Sequence, residues 1–473
     1  MPENGVFVVG SGPNGLAAAI VMAQAGLPVT IGEAAQSVGG GTRSAELTLP
    51  GFVHDVCAAI HPLAAFSPFF NSLPLADHGL KWIYPPAALA HPLDDGTVAV
   101  LEREIFQTVD SLDFPDRRPY MELMMPLREH WQEISPQVLA PLTFPAHPLL
   151  MARFGIHGLR SAVGLARSTF QGPLARALFA GMAAHSFLPL DKPGSAAFGL
   201  VLGTLGHVNG WPMAAGGTGK ISQALAGHFL SLGGEIVTGR RTGTVDELPA
   251  DTTVFLDVSP RQVLQLARQR FDSDYRKQLE KYRFGPGIFK VDWALNGPIP
   301  WRAEECRRAA TLHLGGTMEE IAAAEKEVHL GRHPEKPFVL VAQQSLFDPD
   351  RAPVGKQVGW AYCHVPNGSR VDMTERIENQ IERFAPGFKD LIIGRRTRDT
   401  AAMQAYNENF VGGDINGGMQ NLRQMVVRPV AGPHPYATPD KNIFICSAST
   451  PPGGGVHGLC GYLAAKLALE RMK

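Results

Sequence analysis

The sequence is short of several things, and each shortage removes a class of function. It holds five cysteines in 473 residues, Cys57, Cys306, Cys363, Cys446 and Cys460, with no C-x-x-C among them. Neither a zinc knuckle nor a thioredoxin-like redox pair is spelled out, and no metal site is expected. An odd number of scattered thiols fits a reducing, cytoplasmic setting. Net charge is also lacking: 43 Lys+Arg against 44 Asp+Glu leave a formal charge of -1. Nucleic acid as a partner is therefore not expected, because it calls for a strongly basic face. The adjacent Arg240 and Arg241 read as a solvated strand end. No uninterrupted apolar run reaches the roughly 18 residues of a membrane-spanning helix. Met1 to Gly5 are too few and too polar for a signal peptide.

What the chain does have is apolar content (45%), 51 glycines and 38 prolines. That supports a large core divided into two or three domains. The glycines cluster at chemically telling places. "VFVVG" (Val6 to Gly10) has the wholly apolar pattern of a parallel strand covered on both faces. "SGPNG" and a small-residue helix closed by Gly26 follow, and then a second strand, Leu27 to Glu33. This is one βαβ unit.

Within it Gly10, Gly12 and Gly15 form G-x-G-x-x-G between strand and helix. The first makes a tight turn, the second admits a diphosphate close to backbone, and the third lets helix and strand pack. Pro13 and Asn14 complete the turn, with the helix N-terminus facing the phosphates. Glu33 stands 23 residues after Gly10, where a carboxylate accepts hydrogen bonds from an adenosine ribose and repels a 2'-phosphate. NAD and FAD share this fingerprint. A second glycine run, Gly39, Gly40 and Gly41 followed by Thr42 and Arg43, again brings backbone close to a ligand and adds a planar cation. "GGTGKIS" (Gly216 to Ser222) is not a P-loop, because Ala214 stands where that motif needs glycine. It reads as a helix start. At the far end, "CSASTPPGGGVHGLCGY" places Pro451, Pro452 and three glycines before the last helix, expected from about Val456 to Met472.

"VVGSGPNGLAAAIVMAQAG", "GGGTRS", "LPGFVHDVCAAIHPL", "GGDINGGMQNLRQMVVRP" and the terminal motif together resemble the FAD-dependent superfamily of phytoene desaturases, carotenoid isomerases, retinol saturases and amine oxidases. Within it the sequence is most similar to the phytoene-dehydrogenase-related branch, and the likeness spans nearly the whole chain. The resemblance implies FAD as cofactor and a two-domain α/β fold of the glutathione-reductase-like, amine-oxidase-like type. The FAD domain would be a discontinuous Rossmann sheet with a β-meander, from residues 1–75, 206–285 and 430–473. Residues 76–205 and 286–429 would form an α+β substrate domain with an apolar cavity. The resemblance also implies that Gly454, Gly455 and Val456 lie along the flavin and that Val245 lies near the adenine.

Three residues are candidates for catalysis. Lys290, in "GIFKVDWALNGPIPW", resembles the amine-oxidase lysine that reaches the flavin through a water; a bland alternative pairs it with Asp292. His457 and His61 are placed to move protons beside a flavin, or to serve as structural hydrogen-bonders. The glycine-rich loop Ala405 to Gly418, with Tyr406, Asn407, Asp414 and Asn416, is expected to line the substrate cavity. The function these features favour is desaturation or saturation of a carbon–carbon bond in an apolar, isoprenoid- or polyene-like substrate, by hydride transfer at flavin N5. With no second dinucleotide fingerprint, electrons would pass to a diffusible or membrane acceptor such as oxygen or a quinone. The rivals are C–N oxidation, a redox-neutral flavin isomerase, and a non-catalytic prenyl-binding protein like the Rab GDP-dissociation inhibitors, which share the fold. The absence of C-x-x-C gives no support for disulfide reduction. A peripheral membrane contact is expected through the apolar helical region Phe66 to Leu205.

Overall fold

The computed structural model describes residues 5–472. Its first sheet is parallel throughout and has five strands, in the order Ile443–Ile445, Thr253–Leu256, Val6–Val9, Val29–Gly32, Glu235–Val237. These strands are short and apolar because both faces are covered. Val6, Val8, Ile31 and Phe255 pack against the helices Pro13–Gln24, Gly219–Ser231 and Leu459–Met472. Val9, Val254 and Leu256 face the other way, onto the helices Pro260–Ala267 and Ser273–Glu280. Helix Pro13–Gln24 carries small residues so that the last helix can press close. A Cβ on Gly461 would fall 1.8 Å from the Asn14 carbonyl oxygen.

The second sheet has seven strands: Ile392–Arg398, Gly287–Leu295, Gln357–Val365, Val339–Ala342, Thr311–Leu314, Leu89–Pro92, Val98–Leu101. Neighbours are antiparallel except where Leu312 meets Ala90. Alternation divides its faces. Phe289, Val291 and Trp293 pack with Ile377, Ile381 and Phe384 of helix Thr374–Phe384. Leu340, Ala342, Trp360 and Tyr362 face a group of helices that includes Pro173–Ala184 and Ser195–Asn209.

One expectation is corrected. Among the described residues the β-meander is absent: 238–252 holds only a short 3-10 turn at Val245–Glu247. That stretch has glycines, charges and Pro249 but no alternating apolar residues, so nothing drives it to pair. The segment "YMELMMPLREHWQEI" is helical, lying in two helices, Arg117–Glu129 and Trp131–Val138. They break at His130, whose backbone (φ −108°, ψ 22°) leaves the helical region.

Candidate active site

The strand Val6–Val9 runs straight into the glycine turn. Gly10 has φ +98°, and its N–H donates to the Gly32 carbonyl at 2.8 Å. A Cβ on Gly15 would meet the Gly10 carbonyl oxygen at 2.2 Å, so that glycine is a packing requirement and lies behind the turn. At the end of the second strand the Glu33 carboxylate accepts from Ser11 N (3.0 Å), Ser11 Oγ (2.6 Å) and Ala35 N (2.8 Å). Arg43 stands 3.4 Å from it. The Arg43 guanidinium is mainly a staple: it donates to the carbonyls of Ser37, Val38 and Gly40 and lies over the Tyr406 ring, 5.6 Å from its centre. Tyr406 OH in turn donates to the Gly40 carbonyl at 2.7 Å. A Cβ on Gly40 would come within 3.0 Å of Gly12 Cα, so the two glycine runs touch.

The C-terminal motif closes the same space. A Cβ on Gly454 would lie 2.7 Å from the Asn416 carbonyl oxygen, which ties the motif to the loop 405–418. Asp414 is buried and sets that loop, accepting from Gly285 N at 2.7 Å and Asn416 N at 2.8 Å. One cavity of about 1060 Å³ joins these parts. Gly10, Gly12, Pro13, Asn14, Glu33, Gly40, Gly41, Thr42, Arg43, His61, Gly454, Gly455 and Val456 all line it.

The residues present fit FAD. A diphosphate finds a helix N-terminus with no Cβ in its way, and a ribose finds a carboxylate. Asn14 Oδ1 and Asn416 Nδ2, on two lining residues, are buried polar atoms with no partner among the described residues. Gly10 to Asn14 and Glu33 would hold the adenosine diphosphate half, and Gly454 to Val456 the flavin half.

Other expected residues sit elsewhere. Val245 is buried against Val9, Leu256 and Leu266, and Thr242 and Gly243 line the cavity in its place. Arg241 is exposed to solvent, as a solvated position should be, and pairs with Glu408 (3.0 Å); both line the dinucleotide end. His457 spends both ring nitrogens on the backbone. Nε2–H donates to the Gly453 carbonyl (3.2 Å), and Nδ1 accepts from Leu459 N (3.0 Å). It fixes the start of the last helix and offers nothing to a substrate.

Lys290 is fully buried in an ion pair with Asp292, and burial pulls its pKa below the usual lysine value against the pull of that carboxylate. Its ammonium lies 5.5 Å from the centre of the Trp360 ring, and Trp360 rather than Lys290 forms the cavity wall. His61 does line the cavity. It bonds Thr218 Oγ1 through Nε2 at 2.9 Å, and burial holds its pKa at about 4.

Sequence reasoning missed four contributors. Trp360 and Tyr362 stand edge to face on the sheet, ring centres 5.2 Å apart. Their alternation in "VGWAYCHVP" was visible, but not which face opens on the cavity. His185, capping helix Pro173–Ala184, lines the cavity and bonds His313 through Nε2 at 2.9 Å. Burial lowers its pKa to about 3. Asp257 follows the strand Thr253–Leu256 and lines the diphosphate end. Its signal was a lone acid closing an apolar strand.

A buried arginine joins three separate segments of the chain. Arg351 binds Asp55 (2.6 Å), Asp348 (2.8 Å) and the Ala214 carbonyl (3.1 Å). Asp55 also accepts from Thr218 N, and Asp348 from Gly216 N, so "GGTGK" is an anchored turn.

The fold is amine-oxidase-like, and the cradle is one that FAD fits. The NAD(P)-binding Rossmann-like domain family matches residues 8–73. The whole chain aligns, at 24% identity, with 94% of a rat (Rattus norvegicus) protein named pyridine nucleotide-disulfide oxidoreductase domain-containing protein 2. An oxidoreductase from Methanosarcina mazei superposes with a TM-score of 0.67 at 15% identity, over 98% of this chain and 99% of that one. Putrescine oxidase bound to putrescine superposes at 0.62 and 18%, over 99% and 98%.

Proposed function

We propose that the chain makes or removes a carbon–carbon double bond in an apolar, isoprenoid- or polyene-like substrate, with a hydride exchanged at the bound cofactor. FAD supplies the two-electron acceptor or donor. The observation that carries this reading is the distribution of charge along the cavity. Glu33, Asp257 and Glu408, the carboxylates that line it, are all at the dinucleotide end. The rest is walled by side chains such as Leu63, Phe154, Phe198, Leu202, Trp360 and Tyr362. An amine arrives as a cation and finds no carboxylate there, which favours carbon–carbon over carbon–nitrogen chemistry.

This chain's residues hold the substrate against the cofactor and keep water out. His185 is a neutral imidazole on that wall, with Nε2 committed to His313, and it is placed to take the proton from the carbon next to the one that gives up hydride. Oxygen or a quinone is the electron acceptor we favour.

A lipid surface is the partner the exterior favours. Leu142, Phe144, Leu149, Ile156 and Leu159 are exposed within 18 residues. Leu142 and Leu159 also line the cavity, so the patch adjoins its mouth. From Ile134 to Leu190 there is no acidic residue, while Arg153, Arg160, Arg167 and Arg176 are present. That pattern suits anionic headgroups over an apolar layer. Flotation with phosphatidylglycerol-containing vesicles is expected to carry the protein; no association would remove the contact.

The test of the chemistry starts with the visible spectrum before and after dithionite, then in air. A flavin that reduces and re-oxidises is expected. Anaerobic mixing with a polyene, an isoprenoid alcohol and a long-chain amine then reads which one changes the flavin spectrum. A response to the amine alone would overturn the carbon–carbon reading. A colourless protein that cannot be reconstituted would favour a lipid-binding role.

A further inference from the structure

Asp257 takes no part in the chemistry above, yet its carboxyl lies in the diphosphate cradle. The pairing of Val6–Val9 with Thr253–Leu256 carries the chain there, and Asp257 N donates to the Val9 carbonyl at 2.9 Å. The side chain then tucks under the glycine turn. Oδ2 accepts from Gly15 N at 3.0 Å, and a Cβ on Gly12 would fall 2.6 Å from it. Oδ1 has no hydrogen bond among the described residues, and Asp257, 8% exposed, lines the cavity beside Gly10 to Asn14.

The groups around it are acidic or neutral. Glu33 closes the next strand but one, Cys446 follows the outer strand, and Cys460 belongs to the last helix. Burial pushes both thiols up, Cys460 to about 11, so neither supplies or removes charge near neutrality. Arg43 is 3.4 Å from Glu33 and is otherwise committed to carbonyl groups. No salt bridge reaches Asp257 among the described residues. A dianionic diphosphate laid over this turn therefore meets a buried carboxyl with no cation to neutralise it.

We propose that Asp257 enters the FAD complex as a neutral carboxylic acid, with Oδ2 still accepting from Gly15 and Oδ1–H donating to a diphosphate oxygen, so that cofactor binding takes up a proton. The inference rests on FAD occupying the cradle. The proton comes from solvent and stays on Oδ1; no other bond forms or breaks. Burial, helped by the nearby Glu33, raises the Asp257 pKa well above the ordinary carboxyl value against the pull of the Gly15 and Gly12 N–H groups, and the diphosphate extends that rise. A carboxylic acid that donates to an anion gives a charge-assisted hydrogen bond where a carboxylate would give repulsion. FAD is thus held more loosely as pH rises, by up to about tenfold per pH unit while the free protein is ionised and the complex is not.

Calorimetric titration of the apoprotein with FAD between about pH 6 and pH 9, in two buffers of different ionisation enthalpy, tests this directly. The wild type is expected to lose affinity as pH rises and to take up about one proton in that window. Asp257→Asn keeps a donor without a charge and is expected to bind with a flat pH profile, no proton uptake, and a lower Kd than wild type at the alkaline end. A wild-type Kd indifferent to pH with no proton uptake would overturn the proposal, and needs no variant. So would Asp257→Asn with the wild-type slope, since another group would then be titrating. Failure of the wild type to bind FAD at any pH overturns the cofactor reading itself and the proposal with it.

Discussion

The two ends of the cavity are built from different material. At the dinucleotide end the wall is largely backbone: Gly10, Gly12, Gly40 and Gly454 let main chain approach the ligand, and Glu33 and Asp257 are the main side chains. At the substrate end the wall is side chains, from His61, Phe154, Phe198, Trp360 and Tyr362, spread over 300 residues of sequence and both sheets' surroundings. A backbone-built site tolerates almost no added atoms but asks little of residue identity elsewhere. A side-chain-built site can be repacked at modest cost, and its chemistry is set by that packing. The difference teaches that this chain can keep its cofactor while its substrate changes.

Four experiments would break or sharpen that contrast. The largest effect is expected from Gly15→Ala. Its Cβ would sit 2.2 Å from the Gly10 carbonyl oxygen, which is backbone and cannot move aside. A loss of about 3 kcal/mol or more, together with loss of bound flavin, should appear in thermal unfolding and flavin content. Retention of both would show the turn to be softer than its geometry implies.

Next comes Arg351→Met, which leaves Asp55 and Asp348 buried without their cation. Destabilisation by about 3–5 kcal/mol in urea unfolding is expected, since an unpaired buried charge is costly.

Acid should separate the two ends of the cavity. His54 and His185 are held at about 3, and His61, His91, His207 and His457 at about 4. Each folded value lies below the unfolded one near 6.5, so the unfolded chain binds more protons. Their contribution is complete above about pH 6.5 and is lost as pH falls toward 4, by up to about 3 kcal/mol per histidine. The raised carboxyls of Asp257, Asp292 and Asp414 act in the opposite direction, but are fewer. Unfolding temperature should therefore fall from pH 7 to pH 5 while flavin retention in the folded fraction does not. Dye binding against flavin release reads the two.

The smallest effect is Glu33→Gln. It keeps the shape but removes the charge that accepts from Ser11 and Ala35, and a roughly tenfold weaker Kd for FAD is expected with little change in unfolding temperature.

The same contrast explains what could be read from the sequence. Gly10, Gly12, Gly15 and Glu33 were legible because their roles depend on local spacing, and each strand around them is a short apolar run. The terminal glycines stand out by the same local spacing, and they line the cavity. The cavity wall was not. Sheet pairing sets Lys290 opposite Tyr362 and Asp292 opposite Trp360, so all four share one face, and which of them reaches the opening depends on what packs over that face. His457 looked reactive from its neighbours, and only the fold shows its nitrogens bonded to Gly453 and Leu459. His185 gave no signal, because its partner His313 is 128 residues away.

The parallel sheet also fixes a timetable for synthesis. Its central strand, Val6–Val9, is made well before Thr253–Leu256, which must arrive before it is flanked on both sides, and Ile443–Ile445 must follow before the edge is complete. The glycines at 454 and 455 and the helix pressed on Asn14 through Gly461 come later still. The growing chain on a ribosome therefore carries an open-sided sheet until these strands are made, and the cradle is complete only once residues 454–461 have emerged.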